Sequence, residues 1–198
     1  METPLRTISI LILALAVSTP VCAFELSPEA RASLARGEAH AEVSPDPAGA
    51  TGGQVRGVID IAASPDTVWA VLTDCASAAR MITNLERCAV LSGDQKRGWD
   101  IREHITRKSL FFPRMRIVFR SDYEGRRRIR FRLVEGDLKA EEGEWRLQPL
   151  AGGAGTRVFY ENRLAVDWVI PKALLRAGLR KDTPKALARL REACLEAG

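Results

Sequence analysis

Hydrophobic and polar residues alternate with period two along much of the chain after residue 54, and each such stretch predicts a half-buried strand. Val55, Gly57, Ile59 and Ile61 alternate with Arg56, Val58 and Asp60. Trp99, Ile101, Glu103 and Ile105 alternate with Asp100, Arg102, His104 and Thr106. Met115, Ile117 and Phe119 alternate with Arg116, Val118 and Arg120, and the clearest strand sets Ile129, Phe131 and Leu133 against Arg128, Arg130 and Arg132. Gly143, Trp145 and Leu147 then alternate with Glu144, Arg146 and Gln148, and Val158 and Tyr160 with Phe159 and Glu161. Residues 88–91 open this series. Gly93-Asp94, Glu124-Gly125, Gly136-Asp137 and the glycines of 151–155 are hairpin-sized turns, so the strands pair mainly antiparallel.

The period changes to that of a helix at both ends of this run. Ser64 is a cap, Pro65 occupies the first helical position, and Val68, Trp69, Val71 and Leu72 form one apolar face. A second short helix follows over 77–82. Residues 171–197 predict a long helix with Leu174, Leu175, Leu179, Leu187, Leu190 and Cys194 on one stripe. Pro184 interrupts the pattern without shifting its phase, which predicts one bent helix. Together these elements predict an α+β domain: a curved, mainly antiparallel sheet of six to seven strands wrapped around a long C-terminal helix, with two short helices after the first strand.

Composition changes the picture at the N-terminus. Residues 1–6 hold one basic residue, residues 8–17 form an apolar core interrupted only by Ser9, and small residues lead up to a cleavage position after Ala23. This is the pattern of a secretory signal peptide, too short for a membrane span. Val21 and Thr19 before Cys22 do not suit lipoprotein anchoring. The expected division is a signal peptide over 1–23, a flexible tail or linker rich in Pro and Gly over 24–53, and one domain over 54–198. The expected location is the periplasm. The net charge of +5 suits an anionic membrane face or an acidic ligand; export argues against nucleic acid.

Three cysteines remain after cleavage. Cys75 and Cys88 are close in sequence and form the natural disulfide pair in an oxidising compartment. Three buried thiols are the alternative. Cys194 lies on the helical stripe. The two histidines, His40 and His104, lack the short ligand spacings of a metal site. No serine stands in a nucleophile elbow, and Gly152-Gly153-Ala154-Gly155 lacks the lysine of a phosphate loop. No cofactor or metal is expected.

The motifs in order are Ser64-Pro65-Asp66-Thr67-Val68-Trp69, Val71-Leu72-Thr73-Asp74, Asn84-Leu85, Cys88-Ala89-Val90-Leu91, 130–136 and Glu144-Trp145-Arg146-Leu147, followed by the terminal helix. On them the chain resembles, over roughly 55–197, the polyketide cyclase/dehydrase-like proteins of the START-like (SRPBCC, helix-grip) superfamily, including its coenzyme Q-binding branch. The resemblance implies a hydrophobic cavity between sheet and helix. The shared motifs are structural and carry no catalytic residue across. The exported setting departs from the mitochondrial or cytosolic one of the quinone-binding relatives.

For such a cavity the candidate walls are Trp99, Phe119, Phe131, Trp145, Tyr160, Trp168, Leu175 and Leu179. Filling of the core by the same aromatics is the competing reading. If Ile101 and Ile105 face inward, His104 faces outward. Phe111 and Phe112 interrupt two strands and, with Arg116, Arg120, Arg128, Arg130 and Arg132, form a candidate contact with an anionic membrane; a solvated, neutralised sheet face is the alternative. The functional expectation is an exported carrier of a lipid-like or quinone-like small molecule. The alternatives are a cyclase- or dehydratase-like enzyme, which requires inward groups among Asp100, Arg102, Glu103, His104 and Tyr160, and a structural envelope domain with a filled core.

Overall fold

A computed structural model describes residues 25–82, 84–94, 96–108 and 112–198. The expected signal peptide and Phe111 lie outside the described residues. Eight strands form one antiparallel sheet in the order β1-β2-β8-β7-β6-β5-β4-β3. They are β1 (His40–Pro45), β2 (Thr51–Ile61), β3 (Leu85–Asp94), β4 (Trp99–Thr106), β5 (Met115–Glu124), β6 (Arg128–Gly136), β7 (Ala140–Pro149) and β8 (Thr156–Val166). The helices are α1 (Pro28–Ala35), α2 (Pro65–Thr73), α3 (Cys75–Met81) and α4 (Lys172–Ala197).

The strand beyond the expected number is β1, which arises from the stretch read as a linker. Its register runs from His40 opposite Val58 to Pro45 opposite Gly53. The Pro- and Gly-rich residues that looked like a linker are the turn of this hairpin. Asp46 accepts hydrogen bonds from the Ala48 and Ala50 amides, Gly49 takes φ +74°, and Arg163 of β8 pairs with the buried Asp46 carboxylate at 2.8 Å. Turn chemistry and linker composition use the same residues, and only the distant Arg163 distinguishes them here. Upstream, α1 is capped by Ser27 and seats Ala30 against Val58 and Phe159 on the outer face of the sheet.

Ser64 and Asp74 cap α2 and α3 through the Thr67 and Ser77 amides. A disulfide between Cys75 and Cys88, with Cα atoms 5.3 Å apart, ties α3 to β3. The other face of the sheet, here called inner, receives α4, which lies against β1, β2, α2 and α3. The helix continues through Pro184 as one element. A close approach is needed where it crosses β2: a Cβ on Gly57 would stand 2.9 Å from Leu187 Cδ1. Leu175, Leu187, Leu190, Ala193 and Cys194 are buried, whereas Leu174, expected on the same stripe, is exposed. Burial pushes the Cys194 thiol up to about 11, so it stays protonated as a core residue. No described helix is long and apolar enough to cross a membrane.

Candidate functional site on the inner face of the sheet

Register assigns the faces, because directly opposed residues in an antiparallel pair share a side. Ser121 stands opposite Asp100 and Phe131, Phe119 opposite Arg102 and Leu133, and Ile117 opposite His104. Arg102 donates from Nη2 to the Thr73 carbonyl at the end of α2, at 2.6 Å. Asp100, Arg102 and His104 therefore face inward. Trp99, Ile101 and Glu103 face outward, against the expectation for Trp99 as a cavity wall and His104 as an outer-face residue. The Arg120 guanidinium lies 4.5 Å over the Trp99 ring, so an arginine rather than the core covers this tryptophan. Asp100 and Arg102 are buried as a pair: Arg102 donates to Asp100 Oδ2 at 2.8 and 2.9 Å and to Tyr123 Oη at 2.9 Å, and Tyr123 donates to Asp100 Oδ2, while Asp100 Oδ1 is buried without a hydrogen-bond partner.

The other aromatic candidates do come together. His104 and Phe119 meet edge to face at 4.7 Å, Phe119 and Phe131 at 6.3 Å, and Phe131 stacks on Tyr160 at 6.4 Å. Trp145 lies 4.3 Å from Tyr160. This row crosses the inner face from β4 to β8. Gly143 makes room within it: a Cβ there would meet the Phe131 ring at 2.7 Å and run into the Glu161 carbonyl.

Two packed clusters bound the row. In one, Ile59, Ile61, Val158, Leu187 and Leu190 are essentially inaccessible, with Trp145 and Tyr160 at its margin. In the other, Leu175, Leu179, Trp168 and Phe112 meet Ile117, Phe119 and Leu133. Between them Phe119, Phe131, Trp145 and Tyr160 stay only half-buried, although all point toward the helix side.

The polar groups on this face carry the marks of low-dielectric surroundings. Burial, and secondarily the Arg102 charge, hold the His104 imidazolium down at about 4, so the ring is neutral near pH 7. Its Nε2 is buried without a hydrogen-bond partner. Burial pushes the Glu141 carboxyl up to about 7, opposed by its hydrogen bond with Asn162. The Tyr160 phenol is raised by burial and by Glu141. Asn162 donates from Nδ2 to Tyr160 Oη at 2.9 Å. Tyr123, Glu141 and Asn162 escaped the sequence reading, although a period-two signal was present. Each occupies the phase of its strand's apolar residues: Tyr123 with Phe119, Glu141 with Gly143 and Trp145, and Asn162 with Tyr160.

The arginines of β5 and β6 lie on the outer face among acidic partners. Arg116 pairs with Glu103 at 2.7 Å and Glu135 at 2.8 Å, and Arg120 with Asp122 at 2.8 Å. Arg128 lies 3.7 Å from both Glu124 and Glu144, Arg130 pairs with Glu124 at 2.9 Å, and Arg132 is exposed. Phe112 is half-buried in the second cluster. No group of three metal-ligating side chains occurs among the described residues.

The family profile described as polyketide cyclase / dehydrase and lipid transport matches residues 61–191. Among solved structures, a STAR-related lipid transfer protein from Xanthomonas axonopodis is 18% identical with TM-score 0.67, over 80% of this chain and 94% of that one. A protein from Thermus thermophilus is 23% identical with TM-score 0.62, over 73% and 99%. The Zhui aromatase/cyclase from a Streptomyces species is 19% identical with TM-score 0.57, over 72% and 91%. At these identities the likeness is one of fold. No curated protein matches the chain.

Proposed function

The chain belongs to the polyketide cyclase / dehydrase and lipid transport family, and from that premise we propose that it binds and carries an apolar, lipid-like or quinone-like small molecule on the inner face of the sheet. The observation that carries this reading is the row Phe119–Phe131–Tyr160–Trp145, which points toward α4 yet stays half-buried. Aromatic walls with a few convergent polar groups are what small-molecule sites present. The START-like fold supports a hydrophobic ligand, and the Cys75–Cys88 disulfide supports an oxidising, exported setting. Native mass spectrometry of the protein purified from its own compartment tests the proposal. A co-purifying apolar molecule is expected; a chain that carries none, with the aromatic row closed to solvent and to apolar probes, overturns it.

One observation favours a second reading, a cyclase- or dehydratase-like enzyme in the same place. Asp100, Arg102, His104 and Tyr160 all face inward, and a neutral imidazole can accept a proton. The co-purified molecule decides between the two. If it leaves unchanged after incubation with fresh protein the carrier reading holds, and conversion abolished by His104→Phe establishes the enzyme.

A further inference from the structure

On the outer face, away from the aromatic row, a cleft of about 510 Å³ lies beside the turn that joins β5 to β6. Its walls include Arg127, Arg128, Arg146, Gln148 and Phe159, and Glu124 is the one acidic side chain among them. Register explains why the arginines converge. Arg128 stands directly opposite Arg146, and Arg146 directly opposite Phe159. Like charges in that position repel across a sheet, so strand pairing by itself does not favour the first pair. The Arg146 guanidinium lies 4.8 Å over the Phe159 ring, which holds it against the sheet. Arg127 comes from the turn. Gly125 and Arg126 take φ +56° and +52°, the Arg127 amide donates to the Glu124 carbonyl at 3.0 Å, and the Arg127 carbonyl accepts from the Leu147 amide at 2.7 Å. The backbone that presents the three cations is therefore pinned to β7.

The nearby carboxylates do not neutralise this set. Glu124 and Glu144 each lie 3.7 Å from Arg128, but both are shared with Arg130, at 2.9 and 3.8 Å. Arg127 is exposed and makes no ion pair among the described residues. Within the cleft three guanidinium groups thus face one carboxylate. Guanidinium forks match the oxygens of a phosphoryl group in geometry as well as in charge, and the Gln148 amide adds a further donor. We infer that this cleft binds a phosphoryl group, with Arg127, Arg128 and Arg146 as its contacts. The site lies on the opposite side of the sheet from the aromatic row, so the inference is independent of what that row binds. A phosphorylated solute and an anionic phospholipid headgroup present the same chemistry, and the two sources are separable by experiment.

The full chain is titrated with inorganic phosphate at constant ionic strength and followed by amide NMR. In parallel it is sedimented with vesicles of phosphatidylcholine, alone or with an equal part of phosphatidylglycerol. Saturable movement of the amides of 124–128 and 146–149 is expected. Arg127→Gln is expected to weaken binding roughly two- to fivefold, as the loss of one exposed charge contact implies, and Arg127→Glu to weaken it further. Arg127 has no ion pair to lose, so both variants should keep wild-type stability. Arg132→Gln removes an exposed arginine of the same face that does not line the cleft, and should change nothing. A phosphate response with these sensitivities supports the site for soluble phosphorylated molecules. A response to phosphatidylglycerol vesicles alone, with the same dependence on Arg127, supports it for a lipid headgroup. An effect of Arg127→Gln no greater than that of Arg132→Gln overturns the inference, because net charge would then account for the attraction. The absence of a saturable response to either probe also overturns it, and leaves the inner-face reading standing.

Discussion

Replacing Glu141 by Gln is expected to stabilise the protein above neutral pH and to do little below pH 4.5. Glu141 titrates at about 7 in the folded chain against an ordinary 4.5. A raised folded value means that the unfolded chain releases its proton first. The stability associated with Glu141 is fully present below 4.5 and is lost as pH rises through 7. Each tenfold change in proton affinity corresponds to about 1.4 kcal/mol, so ionising Glu141 costs the folded state up to about 3 kcal/mol. His104 works the other way. Its folded value of about 4 lies below the ordinary 6.5, so its contribution is present above 6.5 and is lost as pH falls through 4. Between 4.5 and 6.5 the two effects oppose each other and flatten the wild-type profile. Gln removes one of them. Urea denaturation followed by tryptophan fluorescence at about pH 5 and pH 8 should show the variant gaining about 2 kcal/mol over wild type between the two conditions. Its own profile should decline toward acid because His104 then acts alone. Parallel wild-type and variant profiles would refute the placement of Glu141 in a desolvated site.

Trp99→Ala should leave the amount of co-purifying apolar molecule seen in native mass spectrometry unchanged while Trp145→Ala lowers it at least fivefold, since only the second tryptophan stands beside Tyr160. Arg102→Ala leaves Asp100 buried opposite no cation and should cost about 3–5 kcal/mol in chemical denaturation, well beyond the effect of removing the exposed Arg132. Reduction of Cys75–Cys88, or Cys75→Ser with Cys88→Ser, should lower stability by about 3 kcal/mol, because the crosslink closes a short loop of the unfolded chain. Gly143→Val should displace the Phe131 ring and the neighbouring strand, seen as a thermal midpoint several degrees lower and altered tryptophan emission.

Local pattern carried most of the architecture. Period-two alternation, the Ser64-Pro65 cap and the stripe through Leu175, Leu187 and Leu190 are short-range properties, and each appears in the folded chain where the sequence places it, whereas Gly93-Asp94, expected as a turn, is the end of β3 paired with Asp100 and Trp99. β1 was concealed because Pro45, Asp46, Pro47 and Gly49 compose a tight turn as readily as a linker. The buried pairing of Asp46 with Arg163, distant in sequence, is what makes them a turn.

The candidate site divides along the same line. The sequence by itself determined that Phe119, Phe131, Trp145 and Tyr160 lie in the apolar phases of their strands, because alternation fixes which residues of a strand share a face. It did not determine which face of β4 turns inward. Trp99, Ile101 and Ile105 stand in one phase and Asp100, Arg102 and His104 in the other, and hydrophobicity favours the first. Tertiary structure reversed the choice, because register with β5 and the end of α2 gives Arg102 its partners: Tyr123 Oη and the Thr73 carbonyl accept from the guanidinium that sequence alone would leave in water. The Glu141 carboxyl likewise is pushed up to about 7 only by the burial that the folded chain imposes on it, on the face it shares with Asn162 and Tyr160 of the next strand. A polar residue's place in an interior depends on partners that lie far away in the chain, whereas an apolar residue needs only to leave water.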